Sequence, residues 1–244
     1  MNRQSPSIFN DIVGPIMVGP SSSHTCAPSR IGYLCQQLIS GKLVHATVEF
    51  AREGAYTNMY KGQRSDMGYV NGLMGNRPED PKLRDAFKLA KEANLPIEFI
   101  ISDFVPTVPN LSRVTVYSNA NEKVEIYTDS TGGGTVKLLK IDGFDVEIVG
   151  DCYELIVRMD GDEAAGQAVL SQITAMFADN EGMSVSHKDG KCLLNFKQRV
   201  DYTAEQLDAV SQFDGVTDAK VMKPILAVAS NRNAKLPFHS AAEM

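Results

Sequence analysis

Ser21, Ser22, Ser23, His24 and Thr25 stand in one unbroken run after Gly19-Pro20 and just ahead of Pro28, a residue that can open a helix. The first turn of a helix has N–H groups without intrahelical partners and a partial positive charge. Hydroxyls gathered there would extend a ready-made site for a carboxylate or phosphate. Arg30, one or two turns further on, could add a fixed positive charge. His24 titrates near working pH, which suits proton transfer or the orientation of a substrate, although tying the loop is the plainer role for a histidine. Serine-rich Gly-Pro segments are also common as simple loops or caps. The surroundings argue against a solvated linker, with Ile12, Val13, Ile16, Met17 and Val18 before the run and Ile31, Leu34, Cys35 and Leu38 at helical spacing after it. That pattern predicts a buried strand-loop-helix.

Two more segments are candidates. The stretch from Arg52 to Asp66 is polar, glycine-containing and long for a connection inside a compact domain, which favours function over a plain surface loop. Ser65 or Asp66 is expected to cap a short helix ending near Gly75. Farther on, Gly132, Gly133 and Gly134 form a turn that permits positive φ and close backbone approach, so they could line a ligand pocket. Cys26, Cys35, Cys152 and Cys192 contain no C-x-x-C pair, so neither a zinc site nor a complete iron–sulfur site is legible in this chain. They are expected to be free thiols.

The elements that position these residues follow from periodicity. A helix is predicted over 29–39, a strand over 44–50, a helix over 81–93 and a strand over 97–102. Hairpins are expected between 113–117 and 124–128 and, through Asp142-Gly143, between 136–141 and 144–149. From Cys152 the order is strand 153–158, helix 164–177, strand 183–187, an Asp189-Gly190 turn, strand 192–196, helix 204–213 and strand 216–222. That β-α-β-β-α-β order is the split ferredoxin-like plan. The fold class is therefore α+β: an N-terminal α/β sandwich domain over 1–150, a ferredoxin-like domain over 151–225, and a tail or linker over 226–244.

Composition excludes some partners. A net charge of −6 without a basic stripe argues against nucleic acid and anionic membranes. No apolar run approaches the roughly 20 residues of a membrane helix, and the polar start lacks a signal-peptide core. A cytoplasmic location is expected.

The G-P-S-S-S-H-T run, the helix with an R-I-G start, the Tyr-Lys-Gly loop ending in Ser-Asp, the G-L-M-G helix end, the triple-glycine turn and the final β-α-β-β-α-β unit together resemble the beta chain of iron–sulfur-dependent L-serine dehydratases. The likeness runs from about Ile8 to Met222. It implies a subunit that converts L-serine to pyruvate and ammonia, with a [4Fe-4S] cluster as Lewis acid held by cysteines of a partner alpha subunit rather than by this chain. The tail could lead into such an alpha domain. His24 is then the catalytic candidate, and Ser21, Ser22, Ser23, Thr25, Arg30, Ser65, Asp66, Gly132, Gly133 and Gly134 the substrate-binding candidates. The small domain resembles an ACT domain, a fold that often binds amino acids or mediates dimerisation.

Three positions depart from the pattern. Gln63 stands where the family has a histidine that is a candidate general base, and a glutamine cannot titrate. Ala27 replaces a usual glycine. The Asp160-Gly161-Asp162-Glu163 turn lacks the final glycine of the family's ligand-site turn. Three readings stay open: a serine lyase subunit, a non-catalytic amino-acid or anion-binding regulatory module, and a paralogue acting on another hydroxy amino acid.

Overall fold

The structure, a computed structural model, describes residues 15–226. The expectations for Ile12, Val13 and the tail beyond residue 226 lie outside the described residues. The serine run forms a π-helical turn, Ser22–Cys26, that passes directly into α1, Ala27–Cys35, and a 3-10 turn, Gln36–Leu38. Pro28 sits in the first turn of α1, where its missing N–H costs nothing. Then come β1 (Leu43–Ala51), α2 (Ser65–Leu73), a 3-10 turn (Pro81–Asp85), α3 (Ala86–Glu92), β2 (Ile97–Ser102), β3 (Leu111–Ser118), β4 (Lys123–Gly132), β5 (Thr135–Ile141) and β6 (Phe144–Ile148).

These strands make one six-stranded sheet in the order β2-β1-β3-β4-β5-β6. The β1–β2 pair, bridged by α2 and α3, is parallel; every other pair is antiparallel. Alternation along the strands turns Val48, Phe50, Val114, Val116, Ile126 and Leu138 into a core shared with Ile31, Leu34, Leu38, Tyr69 and Leu73 of the helical layer. The helical layer itself depends on glycines. A Cβ on Gly72 would lie 1.9 Å from the Ser29 carbonyl oxygen, and one on Gly68 would lie 2.3 Å from that of Thr25. Helices α1 and α2 therefore meet backbone to backbone, and the π-helical turn is pressed against the start of α2.

The second half comprises β7 (Tyr153–Asp160), α4 (Glu163–Met176), β8 (Gly182–Lys188), β9 (Lys191–Gln198), α5 (Ala204–Ser211) and β10 (Val216–Met222), with an antiparallel sheet ordered β10-β7-β9-β8. One face buries Leu155, Val157, Met159, Leu194 and Phe196 against Val169, Leu170, Ile173 and Val210 of the helices. On the other face Ile156, Leu193 and Met222 join the first core. The two sheets thus share one buried cluster, and the chain is mixed α and β throughout. Asp162 caps α4 through the Ala165 N–H, and Thr203 with Gln206 forms a capping box on α5. Among the described residues no helix is long and apolar enough to cross a membrane.

Candidate active site

The serine run is tied down mostly by its own side chains. Ser21 Oγ accepts the His24 N–H at 3.0 Å, and its carbonyl accepts the N–H groups of Thr25 and Cys26. Ser23 Oγ sits 2.9 Å from His24 Nδ1. Thr25 Oγ1 donates to the Gln63 carbonyl at 2.7 Å, so the predicted loop segment 52–66 does reach the serine run. From the sheet side Ser130 Oγ donates to the Ser23 carbonyl at 2.8 Å. Of the four hydroxyls only that of Ser22 makes no hydrogen bond among the described residues.

His24 is 9% exposed, and its ring meets Tyr56 edge to face with centroids 5.2 Å apart. Burial pulls its pKa below the ordinary histidine value, so the imidazole is neutral near pH 7. Its Nε2 is buried and has no hydrogen-bond partner. A neutral ring oriented through Nδ1 with Nε2 unspent is arranged as a proton acceptor when the proton rides on Nδ1.

Arg30 is buried under the site rather than facing it. Nε and Nη2 donate to the Ile225 carbonyl at 3.1 and 2.8 Å, and Nη1 donates to the Gly134 carbonyl at 2.5 Å. The guanidinium therefore acts as a strut between the serine helix, the glycine turn and the chain after β10. The glycine turn connects β4 to β5, with all three residues at positive φ. A Cβ on Gly134 would strike Pro15 Cγ at 2.6 Å, whereas Gly132 and Gly133 have nothing nearby.

The expected cap of α2 is not the one observed. Arg64, at φ +59°, occupies the N-cap without a side-chain bond, because the turn from Lys61 enters the helix through a left-handed residue. Ser65 is the first helical residue, fully buried, with its hydroxyl unpartnered. Asp66 accepts the adjacent Met67 N–H at 2.8 Å, and burial raises its pKa. Gln63 points its side-chain amide at Met59 Sδ, 3.4 Å away.

Several residues that sequence reasoning passed over belong here. Tyr56 is fully buried, with its hydroxyl within reach of Tyr69 and Ser130. Tyr69 bonds Ser112 at 2.6 Å and Ser112 bonds Thr128 at 2.7 Å, a hydroxyl chain running along the core face of the sheet. At the sheet end Asn110 Nδ2 donates to the Ser130 carbonyl at 2.8 Å, whereas Asp129, opposite Leu111 and Lys137, lies on the other face of β4. The adjacency of Ser130 to the glycine turn was the one available signal.

The four cysteines do not fit a cluster. Each is buried and free, and they occupy separate elements: the π-helical turn, the end of α1, the lead into β7, and β9. Burial pushes the Cys26 and Cys152 thiols up to about 12, far from the thiolate a metal requires. No group of three or more His, Cys, Asp or Glu among the described residues could hold a metal ion.

Hydroxyls and one buried imidazole are thus gathered at a helix start, backed by a mostly antiparallel sheet and followed by a smaller α/β layer. The chain belongs to the serine dehydratase beta chain family, whose sequence pattern matches residues 9–98. It is 32% identical over 184 residues to the protein named "Probable L-serine dehydratase, beta chain" of Bacillus subtilis (strain 168), covering 75% of this chain and 81% of that protein. It is also 31% identical over 172 residues to "L-serine dehydratase, beta chain" of Peptoniphilus asaccharolyticus, covering 70% and 75%. Among solved structures, ribose 5-phosphate isomerase A of Methanocaldococcus jannaschii aligns over 82% of this chain and 91% of that one, with a TM-score of 0.26 and 10% identity, values too low to bear on fold or function.

Proposed function

We propose that this chain is the beta subunit of an iron–sulfur-dependent L-serine ammonia-lyase, which forms pyruvate and ammonia from L-serine together with a partner alpha subunit. The names of its relatives support this, and one observation carries the site assignment: His24 is buried and neutral, with Nδ1 held by Ser23 and Nε2 unspent. The alpha subunit would bring the [4Fe-4S] cluster, which would supply Lewis-acid chemistry at the substrate hydroxyl. His24 Nε2 takes or returns a proton at the substrate α-carbon. The Ser22 hydroxyl and the first N–H groups of the π-helical turn receive the carboxylate. Ser21, Ser23 and Thr25 hold the turn in shape, and Arg30 with Gly134 fixes the turn against the sheet. Ser65, Asp66 and the open Gly132-Gly133 edge form the rim over which the alpha subunit closes.

The smaller sheet, with its order β10-β7-β9-β8 and both helices on one face, supports an ACT-like domain over 151–225. Asp162 in its first turn is already spent as a helix cap, which favours an assembly role, including homodimerisation, over ligand capture.

Gln63 favours a second reading. It occupies the loop that touches Thr25, and its amide turns to Met59 and cannot titrate. On that reading the chain is a non-catalytic amino-acid-binding module or a paralogue with another hydroxy amino acid as substrate. Co-production with a cysteine-bearing alpha chain in the absence of oxygen decides between them. The lyase reading expects a brown complex that forms pyruvate from L-serine. Tight serine binding by the isolated chain, with no complex and no pyruvate, would establish the sensor instead.

A further inference from the structure

One hydrogen bond, between Ser23 Oγ and Nδ1 at 2.9 Å, holds the His24 ring, since Nε2 has no partner among the described residues. The torsion that turns an imidazole about its Cβ–Cγ bond is broad rather than sharply staggered, so a single bond at Nδ1 leaves the direction of Nε2 loosely set. A base must meet the proton it takes within hydrogen-bond reach. A second contact is therefore required to fix the plane of the ring.

Tyr56 is placed to supply it. Its ring, 1% exposed, meets the imidazole at 64° with centroids 5.2 Å apart, the edge-to-face arrangement that aromatic pairs prefer. Phe50 of β1 stacks on the tyrosine ring at 4.9 Å, and Tyr69 of α2 meets it at 6.4 Å. The Tyr56 carbonyl accepts the N–H groups of Met59 and Tyr60, which fixes its backbone at the start of the segment whose Gln63 carbonyl holds Thr25. Its hydroxyl lies within reach of Ser130, and Ser130 donates to the Ser23 carbonyl. The contacts close a circuit from His24 to Ser23, to Ser130, to Tyr56 and back to His24.

We propose that Tyr56 is the positioning residue of His24: its ring, backed by Phe50 and Tyr69, fixes the plane of the imidazole and so keeps Nε2 in one direction toward the substrate α-carbon. The inference rests on the lyase reading for the chemistry of His24. Tyr56 acts through His24 and transfers no proton itself.

The test compares three variants in the complex with the alpha chain. Y56M keeps an apolar side chain without a flat ring, Y56F keeps the ring, and V210A trims the core of the smaller sheet, away from the serine turn. Y56M should lower kcat for L-serine by about 10- to 100-fold with KM within a few-fold of wild type, the mark of a misaligned reacting group. Y56F should restore kcat to within a few-fold, and V210A should lower stability while keeping the wild-type kcat. A Y56M variant with wild-type kcat, a Y56F variant as slow as Y56M, or the same loss in V210A overturns the proposal. A second arm needs no folded Y56M. In the wild-type chain with labelled histidine and tyrosine, NMR should show cross-relaxation between the ring protons of Tyr56 and those of His24, the latter assigned by their loss in H24A. Its absence overturns the proposal, whereas its presence in a chain whose complex forms no pyruvate keeps the alignment and rejects the lyase.

Discussion

The Ser130 hydroxyl donates a 2.8 Å hydrogen bond to the carbonyl of Ser23, across 107 residues of sequence. That bond pins the serine turn, and with it the adjoining His24, to the end of β4. Ser130→Ala would leave a half-buried carbonyl unpaired at a cost of about 1–3 kcal/mol. Thermal unfolding should show a Tm lower by roughly 2–10 °C for a chain of this size. Serine turnover in the complex should fall as well, because His24 adjoins Ser23; a variant with wild-type Tm and turnover would show that the turn holds itself.

Gly72 admits no side chain, since a methyl there would overlap the Ser29 carbonyl at 1.9 Å. Backbone must move, so Gly72→Ala is expected to cost more than about 3 kcal/mol or prevent folding. Gly75→Ala is the control. Gly75 has φ +80° but open space around it, so only conformational strain of about 1–2 kcal/mol applies. Chemical denaturation of the two variants measures the difference.

Lyase activity should carry the signature of His24. Its pKa is lowered, so the neutral imidazole persists below the ordinary value of 6.5 and is lost only as pH falls through the lowered value. The profile of kcat/KM for the complex should therefore be level near pH 7 and drop on an acid limb with its midpoint below 6.5. Replacing the ring by glutamine should reduce kcat by about 10²–10⁴-fold. An acid limb centred at or above pH 7 would assign the titrating group elsewhere.

Glu154 offers a separate check at the junction of the two sheets. It is fully buried on β7, with Asn195 Nδ2 at 2.8 Å and Lys197 Nζ at 3.6 Å, and burial raises its pKa to about 7. A raised carboxyl pKa means the folded state holds the proton more tightly than the unfolded one. Its contribution to stability is fully present below pH 4.5 and is lost as pH rises through about 7. Denaturation midpoints should fall between pH 5 and pH 8 in wild type, and Glu154→Gln should flatten that slope. Equal slopes in the two proteins would mean that Glu154 is ionised throughout.

Much of the fold was legible because its signals are local. The Asp142-Gly143 and Asp189-Gly190 turns appear where expected, with both residues of each pair at positive φ, and strand alternation placed β1 to β10 to within a few residues. The serine run was legible as the approach to a helix for the same reason, but the buried strand expected before it is absent at Ile16, Met17 and Val18, with Ile16 65% exposed. The cap of α2 was misread, because Arg64 in a left-handed conformation has no sequence signal comparable to a serine or aspartate.

By itself the sequence determined the elements, the hairpins, the family and the concentration of hydroxyl and imidazole groups at one helix start. Tertiary structure decided which of those groups remain available. Thr25 is spent on a residue 38 positions away, and Arg30 on carbonyls 104 and 195 positions away. Tyr56, silent in the sequence, emerges with its ring edge to face with His24, centroids 5.2 Å apart. Propensity and periodicity act over a few residues, whereas the partner of a buried hydroxyl or guanidinium depends on which distant strand end the packed core sets against it.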